Sequence, residues 1–216
     1  TEAPSIEKKA DKETVSIGDV VTYTVTGSVP DTTGYEQYVY KIHDTLSSGL
    51  DFVNDANGTA TSEGKVNVTV AFKDATDAST APTTATLDAE NNRKMSLNLS
   101  EWVRANQTNK GKDFTVTYYA KVNKDAVVTE KNSAKLEYGN DPDNTTTTKP
   151  SEAKTPTYPL DINKHIKGQT TSRLAGAKFS LYNTESDATN GANAIKVSGS
   201  NGNYVVDPTS ENTVFE

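Results

Sequence analysis

A lysine, an aspartate and an asparagine draw attention because each falls on the apolar face of an alternating segment. Side chains of a strand alternate between its two faces, so residues i, i+2 and i+4 share a side. In "PSIEKKAD" (4–11), Ile6, Lys8 and Ala10 share one face. In "VYKIHDTL" (39–46), Asp44 lies with Tyr40, Ile42 and Leu46. In "NSAKLEYG" (132–139), Asn132 lies with Ala134, Leu136 and Tyr138. Lys and Asp are rarely buried unless paired, and an isolated charge in an apolar interior shifts its ionisation instead. Strand parity leaves two readings open. One is an ordinary buried ion pair with an amide beside it. The other is chemistry: desolvation favours a neutral, nucleophilic amine and a neutral acid. The acid then donates to the asparagine carbonyl, the amine attacks Cγ, and Asp44 passes a proton to the departing nitrogen. Ammonia leaves, and an amide joins Lys8 to Asn132. The fold itself holds the reactants together, and two acids coupled in this way titrate as a pair.

The elements that position these residues read as short strands. "VVTYTVTGSV" (20–29), "YVYKIHDTL" (38–46), "KVNVTVAF" (65–72), "KMSLNLS", "KDFTVTYYAKV" and "NSAKLEYG" all alternate, with turn residues between them. "SEWVRANQ" (100–107) alone has the pattern of a helical turn, with Ser100 as N-cap. Asp74 to Thr84 reads as a surface excursion. Many strands and little helix predict an all-β chain of immunoglobulin-like β-sandwich domains in tandem. The polar stretch "DPDNTTTTKPSEAKTPT" divides it. The expected organisation is a sandwich over 1–142, a linker over 143–157, and the start of a second, truncated domain over 158–216. In that second unit "YPLDINKHIKG" and "LAGAKFSLYN" read as strands, and the Asn- and Ser-rich tail as a hairpin or two.

Composition narrows the function. The 216 residues carry a net charge of −7, which argues against nucleic acid, since phosphate contacts need clustered Lys and Arg. No apolar run approaches the roughly 20 residues of a membrane span. Cysteine is absent, so there is no disulfide, thiol nucleophile or cysteine metal site. Two histidines, His43 and His165, speak against a His-rich metal site or a conventional Ser-His-Asp centre. No metal and no cofactor is called for.

"PSIEKK", "VSIGDVVTYTVTGSVP", "IHDTLSSGLDF" and "NSAKLEYGNDP" occur in that order and span nearly all of 4–142. This run resembles the fimbrial isopeptide-forming domain of Gram-positive, sortase-assembled backbone (major) pilins. "YPLDINKHIKG" followed by "LAGAKFSLYN" resembles the start of a collagen-adhesin B-type domain. The resemblance implies an internal Lys–Asn isopeptide bond assisted by an acid, with Lys8 and Asn132 as the joined residues and Asp44 as the catalytic acid. Lys9 is one register slip from Lys8, and Glu101 is the alternative acid, since some related domains use Glu. In the second unit the family lysine falls on Lys164, a crosslink donor whose partner lies outside the chain.

The function this implies is a structural shaft subunit of a covalently polymerised pilus on the bacterial cell surface, extracellular and cell-wall anchored. It is not an enzyme beyond one turnover on itself. Its partners are neighbouring pilin subunits joined by sortase, whose linking motifs are not seen in this chain, and a host extracellular ligand. "TYPL" (157–160) has a Tyr-Pro without the following Lys, and no sorting signal is seen, so the chain reads as a fragment of a longer pilin. The alternative is a stalk or ligand-binding module of a Gram-positive surface adhesin, which an exposed aromatic patch would favour. A glycosidase would need two facing carboxylates, and the sequence singles out no such pair. A covalent tie between the first and last strands of a domain would carry a pulling force past everything between them.

Overall fold

The computed structural model describes residues 2–126, 129–156, 167–168 and 175–216. Its strands are β1 (Ile6–Ala10), β2 (Val20–Ser28), β3 (Val39–Leu46), β4 (Leu50–Val53), β5 (Lys65–Asn67), β6 (Thr69–Phe72), β7 (Thr84–Leu87), β8 (Lys94–Asn98), β9 (Asp113–Val122), β10 (Thr129–Gly139), β11 (Thr146–Thr147), β12 (Ser151–Pro156), β13 (Val197–Ser200) and β14 (Asn203–Val206). One antiparallel sheet runs β1-β2-β9-β4, with β6 also on β9. The other runs β11-β10-β3-β8-β7-β5, with β12 also on β10. The two sheets form an all-β, immunoglobulin-like sandwich.

Alternation builds the core. On β2 Val21, Tyr23 and Val25 point inward, and on β9 Phe114, Val116, Tyr118 and Ala120 meet them from the neighbouring strand. Tyr40, Ile42, Leu46, Ala134 and Leu136 supply the facing layer. Gly27 sits at an inward position of β2 where a Cβ would come within 2.8 Å of the Tyr40 hydroxyl oxygen and 3.0 Å of Phe114 Cζ. The two sheets therefore close over a residue with no side chain.

The expected helical turn is present as α1 (Ser100–Ala105), which buries Trp102 and Val103. Ser100 is not its N-cap. Leu99 holds that position, and the Ser100 hydroxyl instead accepts from Tyr40 N at 3.0 Å on β3. The excursion over 74–84 is pinned to α1 through Asp77, which accepts from Trp102 Nε1 at 3.0 Å and Asn106 Nδ2 at 3.0 Å.

Two further expectations differ from the structure. Part of the segment expected to be a linker, 143–157, is sheet. β12 pairs with β10 from Thr129↔Pro156 to Ala134↔Ser151, and β11 pairs with Glu137 and Tyr138. Ala153 and Thr155 turn inward while Glu152 and Lys154 face solvent. An edge strand needs only one buried face and tolerates proline at its end, so a polar composition concealed it. "LAGAKFSLYN" does not form a strand where it is described; Phe179 makes a single bridge with Phe215. The tail does hold one hairpin, β13 with β14. It also holds an unanticipated helix, α2 (Glu185–Asn190), capped by Thr184, whose hydroxyl accepts from Asp187 N, and closed by Gly191 in the left-handed region. Ile17 N donates to Val206 O at 3.1 Å, joining this hairpin to the sandwich.

Candidate functional site

Lys8 lies on β1, the edge strand of the first sheet, opposite Val25. Asp44 lies on β3 and Asn132 on β10, two adjacent strands of the second sheet. The register pairs Ala134 with Asp44 and Asn132 with Leu46. Asp44 and Asn132 are therefore diagonal neighbours on one face, about 7–8 Å apart along the sheet and within reach of each other's side chains. The lysine arm crosses from the opposite sheet to meet them. All three are buried: Lys8 is 4% exposed, Asp44 1% and Asn132 0%.

Lys8 Nζ forms an ion pair and hydrogen bond with Asp44 Oδ2, both side chains wholly out of solvent. Nζ also donates to the Tyr118 hydroxyl at 2.5 Å, and that hydroxyl donates to Asp44 Oδ2. Nζ stands over two aromatic rings, 4.5 Å from the Tyr23 centroid and 4.6 Å from that of Tyr118. Three polar atoms in this pocket make no hydrogen bond: Asp44 Oδ1 and both Oδ1 and Nδ2 of Asn132. Asn132 is nonetheless near enough to bear on the ionisation of Asp44 and Tyr118. Leaving a buried polar atom unpaired costs about 1–3 kcal/mol.

Burial sets the ionisation. Desolvation pulls the Lys8 amine from 10.5 down to about 8, against the raising influence of Asp44. Desolvation pushes the Asp44 carboxyl up, against the lowering influence of Lys8, Tyr118 and Asn132. Burial and the neighbouring Asp44 hold the Tyr118 hydroxyl well above its usual range, so it remains a protonated donor. The shifts of lysine and carboxyl both run toward neutral forms.

The other residues singled out in the sequence fall elsewhere. Lys9 points to solvent, with Nζ 3.8 Å from Glu7. Glu101 is exposed on α1. Lys164 lies outside the described residues. Among the described residues no group of three or more His, Asp and Glu gathers to hold a metal.

Sequence reasoning passed over three features of the pocket. Tyr23 and Tyr118 are register partners on β2 and β9, each on an inward parity position of a strongly alternating strand, which is the signal that marks them. The third is β12. Its Ala153 lies opposite Asn132, and its Ser151 hydroxyl accepts from Lys8 N at 2.9 Å. This strand thus spans the open side between β10 and β1 and keeps water from the pocket. Glu130, also buried on β10, accepts a hydrogen bond from the Ser47 hydroxyl.

Comparison with known proteins agrees with this architecture. Residues 17–142 match the family described as Gram-positive pilin backbone subunit 2, Cna-B-like domain. Domains D2 and D3 of the major pilin SpaD from Corynebacterium diphtheriae superpose with a TM-score of 0.51 at 20% identity, over 98% of this chain and 72% of that one. The pilus backbone RrgB from Streptococcus pneumoniae gives a TM-score of 0.46 at 24% identity, over 67% of this chain. The chain spans 34% of that RrgB structure. The 35 kDa C-terminal fragment of the major pilin GBS80 from Streptococcus agalactiae gives 0.49 at 16% identity, over 83% of this chain and 64% of that one. No curated protein matches the chain.

Proposed function

The chain belongs to the family of Gram-positive pilin backbone subunits, and from that premise we propose that it is a shaft segment whose sandwich is locked by an autocatalytic amide between Lys8 and Asn132. Family membership implies a pilus on the cell surface and assembly with other pilin subunits. No described helix is long and apolar enough to cross a membrane. On this reading sortase joins the subunits to one another, and the internal link is the sandwich's own chemistry.

The observation that carries this reading is the unpartnered carboxamide of Asn132, held in a dry pocket with a lysine whose amine is lowered to about 8. Lys8 attacks Cγ as a neutral amine. Asp44, as the neutral acid, polarises Oδ1 and then protonates Nδ2, so that one C–N bond forms, one breaks, and ammonia leaves. The reaction removes the unpaired Nδ2 atom altogether. The product ties β1 to β10, an edge of one sheet to the interior of the other, and the residues between them are shielded from tension applied along the chain.

Intact-mass spectrometry tests this directly. The folded chain should weigh less than its sequence by one ammonia, and Lys8→Ala or Asn132→Ala should restore the full expected mass. Full mass in the unaltered folded chain would sink the crosslink. Loss of ammonia persisting in Asp44→Ala would move the acid's role to another residue.

One observation favours a second reading, a ligand-binding module of a surface adhesin. Tyr35 is 47% exposed, stacks on Tyr38 with centroids 6.2 Å apart, and with Tyr138 lines a groove of about 820 Å³. On this reading Tyr35→Ala abolishes binding to a host extracellular-matrix protein while leaving the mass deficit intact. Equal binding by the variant rejects it.

A further inference from the structure

The buried tyrosines of this sandwich are not equivalent. Tyr40 and Tyr118 are both fully enclosed. The Tyr40 hydroxyl makes no hydrogen bond, and a phenylalanine would fill its place as well. The Tyr118 hydroxyl is held by two partners, and they are the two groups that exchange protons. It accepts from Lys8 Nζ at 2.5 Å and donates to Asp44 Oδ2. Beside the direct contact of Nζ with Oδ2, the phenol therefore forms a second path from the lysine nitrogen to the same oxygen of the carboxyl. The other oxygen, Oδ1, is buried and uncommitted, as is the Asn132 carboxamide. The carboxyl is divided: one oxygen faces the nucleophile and its relay, and one is left for the electrophile.

We propose that Tyr118 is a catalytic residue of the crosslinking reaction, its hydroxyl relaying the proton released by Lys8 Nζ to Asp44 Oδ2. This rests on the Lys8–Asn132 crosslink proposed above. The reacting state holds Lys8 as amine and Asp44 as acid. Nζ attacks Cγ while the Asp44 proton moves to Asn132 Oδ1, giving a tetrahedral centre with a protonated Nζ and an Asp44 carboxylate. The Tyr118 oxygen then takes one proton from Nζ as its own hydroxyl proton passes to Oδ2, so the phenol ends as it began. Asp44 gives that proton to Nδ2, the Cγ–Nδ2 bond breaks, and ammonia departs. The proton on Oδ1 returns to Asp44 as the carbonyl reforms. The sum is one amide and one ammonia, with Asp44 and Tyr118 unchanged. The weakened acidity of the Tyr118 hydroxyl suits this role, because the phenol passes a proton without resting as a phenolate.

The test follows ammonia loss by intact mass at timed intervals during cell-free synthesis of the full chain, over a range of pH. Tyr118→Phe preserves the ring and deletes the hydroxyl. It should slow crosslinking at least tenfold. Its rate profile should also move to higher pH, since Asp44 loses a donor that stabilises its carboxylate. Tyr40→Phe, which deletes a hydroxyl without partners, should keep the wild-type rate and profile. Site-specific 3-fluorotyrosine at position 118 retains the hydroxyl and the shape and makes the hydroxyl a stronger donor. It should move the profile the opposite way, to lower pH, an effect that loosened packing does not produce. It also serves if Tyr118→Phe fails to fold. Wild-type rate and profile in Tyr118→Phe, or an unmoved profile with fluorotyrosine, overturns the relay while leaving the crosslink standing. Absence of ammonia loss in the unaltered chain overturns the crosslink and the relay with it.

Discussion

β3 and β10 carry two polar networks on opposite faces, built from similar residues. Inside, Lys8, Asp44, Tyr118 and Asn132 meet in a dry pocket. Outside, the adjacent residue His43 contacts Ser96 through Nδ1 at 2.7 Å and Glu137 through Nε2 at 2.8 Å, and Glu137 also accepts from Thr145 Oγ1 at 2.8 Å. The outer row has the order of a hydroxyl, an imidazole and a carboxylate. Yet Ser96 sits mid-strand on β8, between β3 and β7, and the backbone there serves the sheet ladders. There the hydrogen bond from His43 lowers the Glu137 carboxyl, with Thr145 adding to it. Across the sheet, burial drives the Asp44 carboxyl the other way. The same kind of side chain is an ordinary stabilised anion on one face and a candidate reagent on the other. The difference is water.

The widest separation between the two networks should come from Asn132→Ala. On the proposed crosslink, its removal returns to the unfolded chain the freedom of a long loop, worth about 5 kcal/mol by analogy with disulfides of similar span. Denaturant midpoint and Tm should both fall, and reductant should change neither protein.

The same variant should acquire a pH dependence that the linked protein lacks. Its Lys8 remains an amine with a folded-state value of about 8 against 10.5 unfolded. Between those values the unfolded state binds more protons, so stability should rise with pH across the window, by about 3 kcal/mol from the size of the shift. That contribution is present above 10.5 and lost as pH falls through about 8. Asp44, with its value raised on folding, works in the opposite sense: its contribution is present below 3.8 and lost as pH climbs through the folded value. Urea titrations of variant and parent over this range would expose the difference, and matching curves would contradict an amide at Lys8.

Wetting the inner pocket should make it resemble the outer one. Ala153→Glu places a carboxylate on β12 opposite Asn132. A loss of several kcal/mol is expected for burying an unpaired carboxylate, together with slower release of ammonia in timed mass spectra. Unaltered kinetics would mean that β12 does not seal the site. The smallest effect belongs to the outer face. Glu137→Gln should cost less than about 1 kcal/mol, as for other partly exposed ion pairs, and should leave the mass deficit unchanged.

Parity in the sequence was enough to place Lys8, Asp44 and Asn132 on inward faces, because a period of two leaves each residue only one side to choose. It left Lys8 and Lys9 one register slip apart, and the structure separates them by burying Lys8 and leaving Lys9 in solvent. Alternation likewise predicted β2, β3, β9 and β10 and the sandwich they make. It failed where one face of a strand is short and half polar. β12 reads as a linker because only Ala153 and Thr155 turn inward, and its partner, β10, lies many residues back in the chain. It was silent on Tyr118 as well, since a tyrosine at a core position looks like any other large apolar residue until its hydroxyl is given neighbours.

What the chain alone determined is which side chains face inward, since that depends only on the residue-to-residue geometry of an extended backbone. Which of them meet was decided by the tertiary structure. The pairing of β3 with β10, the crossing of Lys8 from the opposite sheet, and the closure by β12 are long-range events. They set distance and dryness together, and on those two quantities the chemistry of an amine, an acid and an amide depends.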